Sequence, residues 1–257
     1  MTKANAPVIE MLTALADDEL VIGHRDSEWT GYAPILEEDI AFSNIAQDEI
    51  GHSLVWYTLL ERLLQRSPDA MAFERQWLDF RCCRFVAYPR GDFAYTVVRQ
   101  YLFDEAEHVR LEALAQSSYG PIRDAAARIM KEEAYHLLHS EALVERLGDA
   151  TDESRRRMHA ATATAFPQSL GLFERLEHED VLVRERVFPG NAKLQTAWIE
   201  RIVATFGAVS ITLPLDGSSK PLCLADYGGR AGDHTSDLEQ LIADLHMVYQ
   251  SVSGASW

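Results

Sequence analysis

The sequence predicts an all-α fold, a helix bundle with additional C-terminal helices, and three observations carry that expectation. Apolar residues recur at helical spacing over long segments, with few β-branched alternations. Pro and Gly gather at a few points: residues 31–34, 67–68, 89–91, 120–121, 148, 167, 189–190 and 214–232. Hydrophobic residues make up 47% of the 257, enough to build a substantial core.

The breakers then set the elements in order. A first helix is expected over 6–27 and a second over 35–66, just after Pro34. Pro34 suits a first helical turn, where its missing N–H costs nothing. A third is expected over 69–84, between Pro68 and Pro89, and a fourth over 92–117, after Gly91. A fifth, over 121–147, opens on Pro121 and stops at Gly148, which follows Glu145-Arg146-Leu147 as a C-terminal cap should. Helices over 151–165 and 168–177 flank Pro167, another over 191–211 follows Pro189-Gly190, and a last one spans 235–251. Pro214 to Gly232 is the least regular stretch, a long loop or short hairpin. Nothing marks a linker, so one domain over 1–257 is expected, with a core bundle at about 6–147 and C-terminal helices at about 151–251.

Composition excludes several classes of function. No stretch approaches the ~20 apolar residues needed to cross a bilayer. The N-terminal segment carries acids where a secretory signal needs a clean apolar run, so a cytoplasmic location is expected. Cys82 and Cys83 are adjacent and Cys223 stands apart, which gives neither a disulfide framework nor a CxxC zinc pair. A formal charge of −16 argues against a nucleic-acid partner. Arg155-Arg156-Arg157, the one basic run, reads as a solvated helix turn. No Gly-rich phosphate loop and no nucleophile elbow is present, so neither a bound nucleotide nor acyl hydrolysis is expected. His24, His139, His159, His178, His234 and His246 suit surface or hydrogen-bonding roles, and Trp29, Trp56, Trp77 and Trp198 suit core or interface positions.

The chemistry lies in a repeated motif. Nine His and 22 Glu in 257 residues predict fewer than one Glu-x-x-His by chance, yet three occur: Glu49–His52, Glu133–His136 and Glu105–His108. Residues three apart on a helix share a face, about 5–6 Å apart at Cβ. In four-helix carboxylate proteins two helices each give Glu-x-x-His and two more each give a single Glu. The single carboxylates should lie one helix upstream. Glu19 precedes Glu49 by 30 residues, and Glu107 precedes Glu133 by 26. On the fourth helix Asp104, Glu105, Glu107 and His108 compete, and spacing alone does not separate Glu105 from Glu107. Asp48 and Glu132 immediately precede the paired glutamates and are placed to accept a ligand histidine's free ring N–H. Mixed carboxylate and imidazole ligation suits iron or manganese better than structural zinc. The bundle is therefore expected to be ferritin-like and to hold two metal ions, iron foremost.

Several segments resemble the C-type subunit family of the multicomponent phenylacetyl-coenzyme A epoxygenase. They are Arg25-Asp26-Ser27-Glu28-Trp29, Gly31-Tyr32-Ala33-Pro34, the run from Ala41 to Asp48, Arg99-Gln100-Tyr101, Gly228-Gly229-Arg230 and His234-Thr235. The resemblance spans nearly the whole chain. It implies a ferritin-like fold, and assembly with a flavin/iron–sulfur reductase, a small bridging subunit, and a homologous catalytic partner of the A type. It also implies epoxidation of an aromatic coenzyme A thioester with dioxygen and NADPH-derived electrons. C-type members of the family have lost the di-iron ligands and act structurally. Here the chain departs from them: Gln47 to His52, and Lys131 to His136 preceded by Ser118-Tyr119-Gly120-Pro121, resemble the ligand-bearing A type. That likeness implies Glu19, Glu49, His52, Glu107, Glu133 and His136 as ligands and favours Glu107 over Glu105. The competing expectations are a metal-free scaffold in the same complex and a stand-alone ferritin-like oxidase or iron store. Storage fits poorly, because a minimal four-helix ferritin has no use for the segments after residue 150.

Overall fold

The computed structural model describes residues 5–252, and its regular structure is helical. In chain order the helices are α1 (Ala6–Ser27), α2 (Leu36–Leu64), α3 (Pro68–Phe73), α4 (Arg84–Ala87), α5 (Phe93–Leu114), α6 (Gly120–Asp149), α7 (Asp152–Ser169), α8 (Glu179–Arg184), α9 (Asn191–Ala208) and α10 (Ser236–Ser251). Among the described residues the one β contact is an isolated antiparallel bridge between Leu215 and Pro221, inside the stretch expected to be irregular. The chain forms two compact units, Met1–Pro89 with Gly228–Trp257, and Arg90–Tyr227.

In the first unit α1 and α2 pack as an antiparallel hairpin. The register is read from Asp17 meeting Tyr57 and from Gly23 lying against Ala46, Glu49 and Ile50. Gly23 has a specific reason to be glycine. A Cβ there would lie 3.0 Å from both the Ala46 carbonyl oxygen and the Glu49 Cβ, so its absence lets the two helices close at the level of Glu49. α2 begins with Glu37, Glu38 and Asp39 on its positive end and stops at Gln65, in left-handed conformation (φ 56°). Met11, Leu15, Ile22, Phe42, Ile45 and Trp56 are buried in this unit.

The continuous helix expected over 69–84 is not formed. It is broken into α3, a single 3₁₀ turn at Trp77–Asp79, an extended stretch and α4. Buried acids on α1 account for the break. Asp17 accepts the Arg81 backbone N–H at 2.6 Å, and Asp18 accepts that of Cys83 at 2.8 Å. Those amides point at carboxylates instead of at carbonyls one turn back. The C-terminal segment folds onto the same unit. Gly228 adopts φ 128°, and a Cβ on Gly229 would overlap the Cys82 carbonyl oxygen. α10 is fixed through His246 Nε2 and the Ala72 carbonyl oxygen, 3.0 Å apart.

In the second unit α5 and α6 pack together across a five-residue connection, and α7 and α9 cover α5. Trp198 on α9 donates its indole N–H to the Leu102 carbonyl oxygen at 3.0 Å and lies against Phe166 and Phe173. Gly148 does not cap α6, because the helix continues to Asp149. Its lack of a side chain serves packing instead: a Cβ would lie 2.7 Å from that of Val209. The expected break at Pro167 is also corrected, since α7 runs through it to Ser169 and then tightens into a 3₁₀ turn at Leu170–Phe173. Pro167 stands in the last turn, so the one backbone bond that its missing N–H forgoes falls at the end of the helix, just before the chain tightens into that 3₁₀ turn. α8 falls in a stretch where no helix was expected. Arg156 and Arg157 lie exposed and pair with Glu153 in the first turn of α7, as a solvated basic run should.

Candidate metal centre

All six expected ligands are buried, each at most 1% exposed. In the first unit the geometry converges. Glu19 from α1 and Glu49 and His52 from α2 each offer a ligand atom, and these atoms lie within 4.8 Å of one another. The His52 Nδ1 stands 3.6 Å from the Glu49 Oε2, as an i,i+3 pair on one helix face allows. Two carboxylates held this close away from water repel each other, and a divalent cation between them removes the repulsion. Two oxygen donors and one imidazole, buried and convergent, fit iron or manganese.

The acids beside Glu19 are engaged differently. Asp17 accepts from Arg75 at 2.5 and 3.0 Å and from the Tyr57 hydroxyl at 2.5 Å. Burial, followed by the Asp17 charge, pushes the Tyr57 hydroxyl well above its ordinary pKa, so it remains a donor. Asp18 accepts from both terminal nitrogens of Arg230, at 2.8 and 2.6 Å. Burial alone would lower the Arg230 pKa, but the Asp18 carboxylate outweighs it and holds the guanidinium charged. Three consecutive acids thus share one buried stretch of α1. Two meet arginines far away in sequence, and the third turns toward Glu49 and His52.

In the second unit the four competing residues of α5 separate. Asp104 accepts from the Gln100 amide at 2.7 Å and from the Ser140 hydroxyl of α6 at 2.6 Å. Glu105 faces Arg201 of α9 at 3.3 Å, and burial pushes its carboxyl up to about 7 against that cation's pull. His108 lies near the surface, 3.4 Å from Glu112. Glu107 meets the guanidinium of Arg110, one turn along α5. On α6, the His136 Nδ1 stands 3.1 Å from the Glu133 Oε1. Glu107, Glu133 and His136 do not converge as a triad of the kind seen in the first unit, among the described residues. Asp48 is half-buried and Glu132 is exposed.

Sequence reasoning missed Asp17, Asp18 and Arg110, and weighed Asp104 only as a competing ligand, not as the acceptor of Gln100 and Ser140. The run Ala16-Asp17-Asp18-Glu19-Leu20 carried a readable signal, because consecutive acids inside an apolar helix put at least one carboxylate on a buried face. Arg110 was equally readable, three residues after Glu107.

Comparison with known proteins adds the decisive observation. A family profile described as "Phenylacetic acid catabolic protein" matches residues 1–257. The chain belongs to the phenylacetic acid catabolic protein family. Within that family it is similar to the C subunit of the 1,2-phenylacetyl-CoA epoxidase of Escherichia coli (strain K12). The two are 31% identical over 245 residues, 95% of this chain and 96% of that protein. It is also similar to the A subunit of the same enzyme, 31% identical over 131 residues, half of this chain and 41% of that protein. The all-α fold accords with the ferritin-like bundle that the sequence led us to expect. Several family-like segments have visible work in the fold: Arg25 donates to the Ala87 carbonyl oxygen at 2.8 Å, Arg230 binds Asp18, and His234 Nε2 lies 2.9 Å from the Phe80 carbonyl oxygen.

Proposed function

We propose that this chain is one component of a multicomponent epoxidase acting on the ring of phenylacetyl-CoA in phenylacetate catabolism, and that its buried Glu/His set holds iron. The observation that carries the reading is likeness to the C subunit of such an enzyme along nearly the full length of both proteins. In it, Glu19, Glu49 and His52 bind the metal, and their burial keeps bulk water away from it. Iron held there would supply one-electron chemistry toward dioxygen. A homologous A-type partner would bind the substrate, and a flavin/iron–sulfur reductase with a small bridging subunit would complete a cytoplasmic assembly. A net charge of −16 suits a division of labour in which the polyanionic coenzyme A handle sits on the partner.

The competing reading is a metal-free structural member of the same complex, and the Arg110 guanidinium on Glu107 favours it. Metal analysis of the purified chain separates the two, and reconstitution locates catalysis. The chain alone, loaded with ferrous iron, is expected to give no epoxidation of phenylacetyl-CoA. Adding the A-type partner together with the reductase should start it. When the partner's own metal ligands are mutated, retained turnover would place catalysis on this chain, and lost turnover in an intact complex would give it a supporting role. Robust turnover by this chain with only a reductase would defeat the multicomponent reading.

A further inference from the structure

The two Glu-x-x-His motifs look equivalent in sequence but are not equivalent in what surrounds them. Glu49 and His52 meet a third ligand side chain, Glu19. The corresponding carboxylate of α5, Glu107, is 1% exposed and contacts the Arg110 Nη1 instead. Arg110 is itself 2% exposed, and its Nη2 donates to the Leu172 carbonyl oxygen at 3.2 Å, which anchors the guanidinium from the segment after α7. Glu133 and His136 meanwhile engage each other at 3.1 Å.

An arginine keeps its charge at any pH the protein meets, so this cation cannot be titrated away to free Glu107. Parting a buried guanidinium from its carboxylate is strongly unfavourable, because the charge stays out of water without its counterion. A metal ion that recruited Glu107 would have to create that state. The guanidinium and a metal ion therefore compete for one carboxylate, and the guanidinium is covalently present at every moment.

We propose that Arg110 is a built-in countercation for Glu107, and that the chain consequently takes up one metal ion, on Glu19, Glu49 and His52, rather than two. The inference rests on the metal-binding reading above and decides the number of ions. Arg110 acts here as a positioning residue that sets stoichiometry.

The test is a cobalt(II) titration of the metal-stripped full chain under anaerobic conditions. It is followed by ligand-field absorption and by metal analysis after gel filtration. The wild-type chain should break at one equivalent, His52→Ala should abolish that break, and Arg110→Gln should move it to two. Glu107→Gln should stay at one, and so should the double variant Glu107→Gln/Arg110→Gln, which removes both members of the pair and guards against misfolding of Arg110→Gln alone. Two equivalents in the wild-type chain would overturn the countercation while leaving metal binding intact. A folded Arg110→Gln chain that still breaks at one would overturn the role of Arg110. A drop below half an equivalent in Glu107→Gln would show that Glu107 is a ligand after all. No uptake by a folded wild-type chain would defeat the metal reading itself, and this inference with it.

Discussion

Arg230→Met tests whether the C-terminal segment is held by a buried charge. The two terminal nitrogens of Arg230 reach the two Asp18 oxygens at 2.8 and 2.6 Å, with side chains 7% and 0% exposed. Arg230 also donates to the Arg81 carbonyl oxygen at 2.9 Å. With the guanidinium gone, Asp18 keeps the Cys83 amide at 2.8 Å, one neutral donor for a buried negative charge. Removing one member of such a pair costs about 3–5 kcal/mol, since the other is left uncompensated. A domain of this kind is stable by about 5–15 kcal/mol, so the loss is a large fraction of the whole. Urea unfolding of both chains should show the midpoint falling with little change in slope. Asp18→Asn in the Arg230→Met background should recover more than half of the loss, because the isolated charge goes with it. A loss under about 1 kcal/mol, the worth of an exposed pair, would refute the claim that this charge is sealed from water.

Three further outcomes follow from the same geometry. Glu105 is held at about 7 in the fold against an ordinary 4.5, so its contribution to stability is complete below pH 4.5 and lost as pH rises through 7. Glu105→Gln should therefore flatten the fall in stability over that window, and equal slopes for the two chains in denaturation at stepped pH would refute the assignment. Gly148→Ala should cost about 1–3 kcal/mol by thermal or urea unfolding, because its new methyl meets the Val209 Cβ, and a double-mutant cycle with Val209→Gly, which removes that carbon, should show the cost falling. His52→Ala should lower iron content after expression in iron-replete medium, measured by elemental analysis, with the helical circular dichroism unchanged.

Much of the fold was legible because long amphipathic helices announce themselves locally. α1, α2, α5, α6, α9 and α10 lie within a few residues of their expected spans. What was not legible depends on residues distant in sequence. The region 69–84 reads as one helix until Asp17 and Asp18 take its amides, and no pattern within 69–84 reveals those acceptors. Gly148 looks like a cap until Val209, 61 positions later in the chain, is seen against it. The Glu and His residues expected as ligands stood out by type and spacing, and their burial follows from the apolar faces that carry them. The tie on α5 was different in kind. Asp104, Glu105 and Glu107 are all buried, and what distinguishes them is the partner each meets: Ser140, Arg201 or Arg110.

The same contrast bears on what a metal-binding motif in a sequence reports. Within the first unit, the acids next to Glu19 draw their cations from Arg75 and Arg230, in other segments of the chain. Those arginines serve Asp17 and Asp18, while Glu19 joins Glu49 and His52 in a convergent triad. Within the second unit the cation comes from the same helix, one turn from the candidate ligand, and it lands on that ligand. A single i,i+3 arginine thus alters what a carboxylate is available for without touching the motif by which a metal site is recognised. A guanidinium at such a neighbouring position supplies the positive charge that an ion would supply and keeps the buried carboxylate compensated. The ligand residues can then persist for packing and charge balance, and their presence in a sequence reports that compensation as much as it reports an ion.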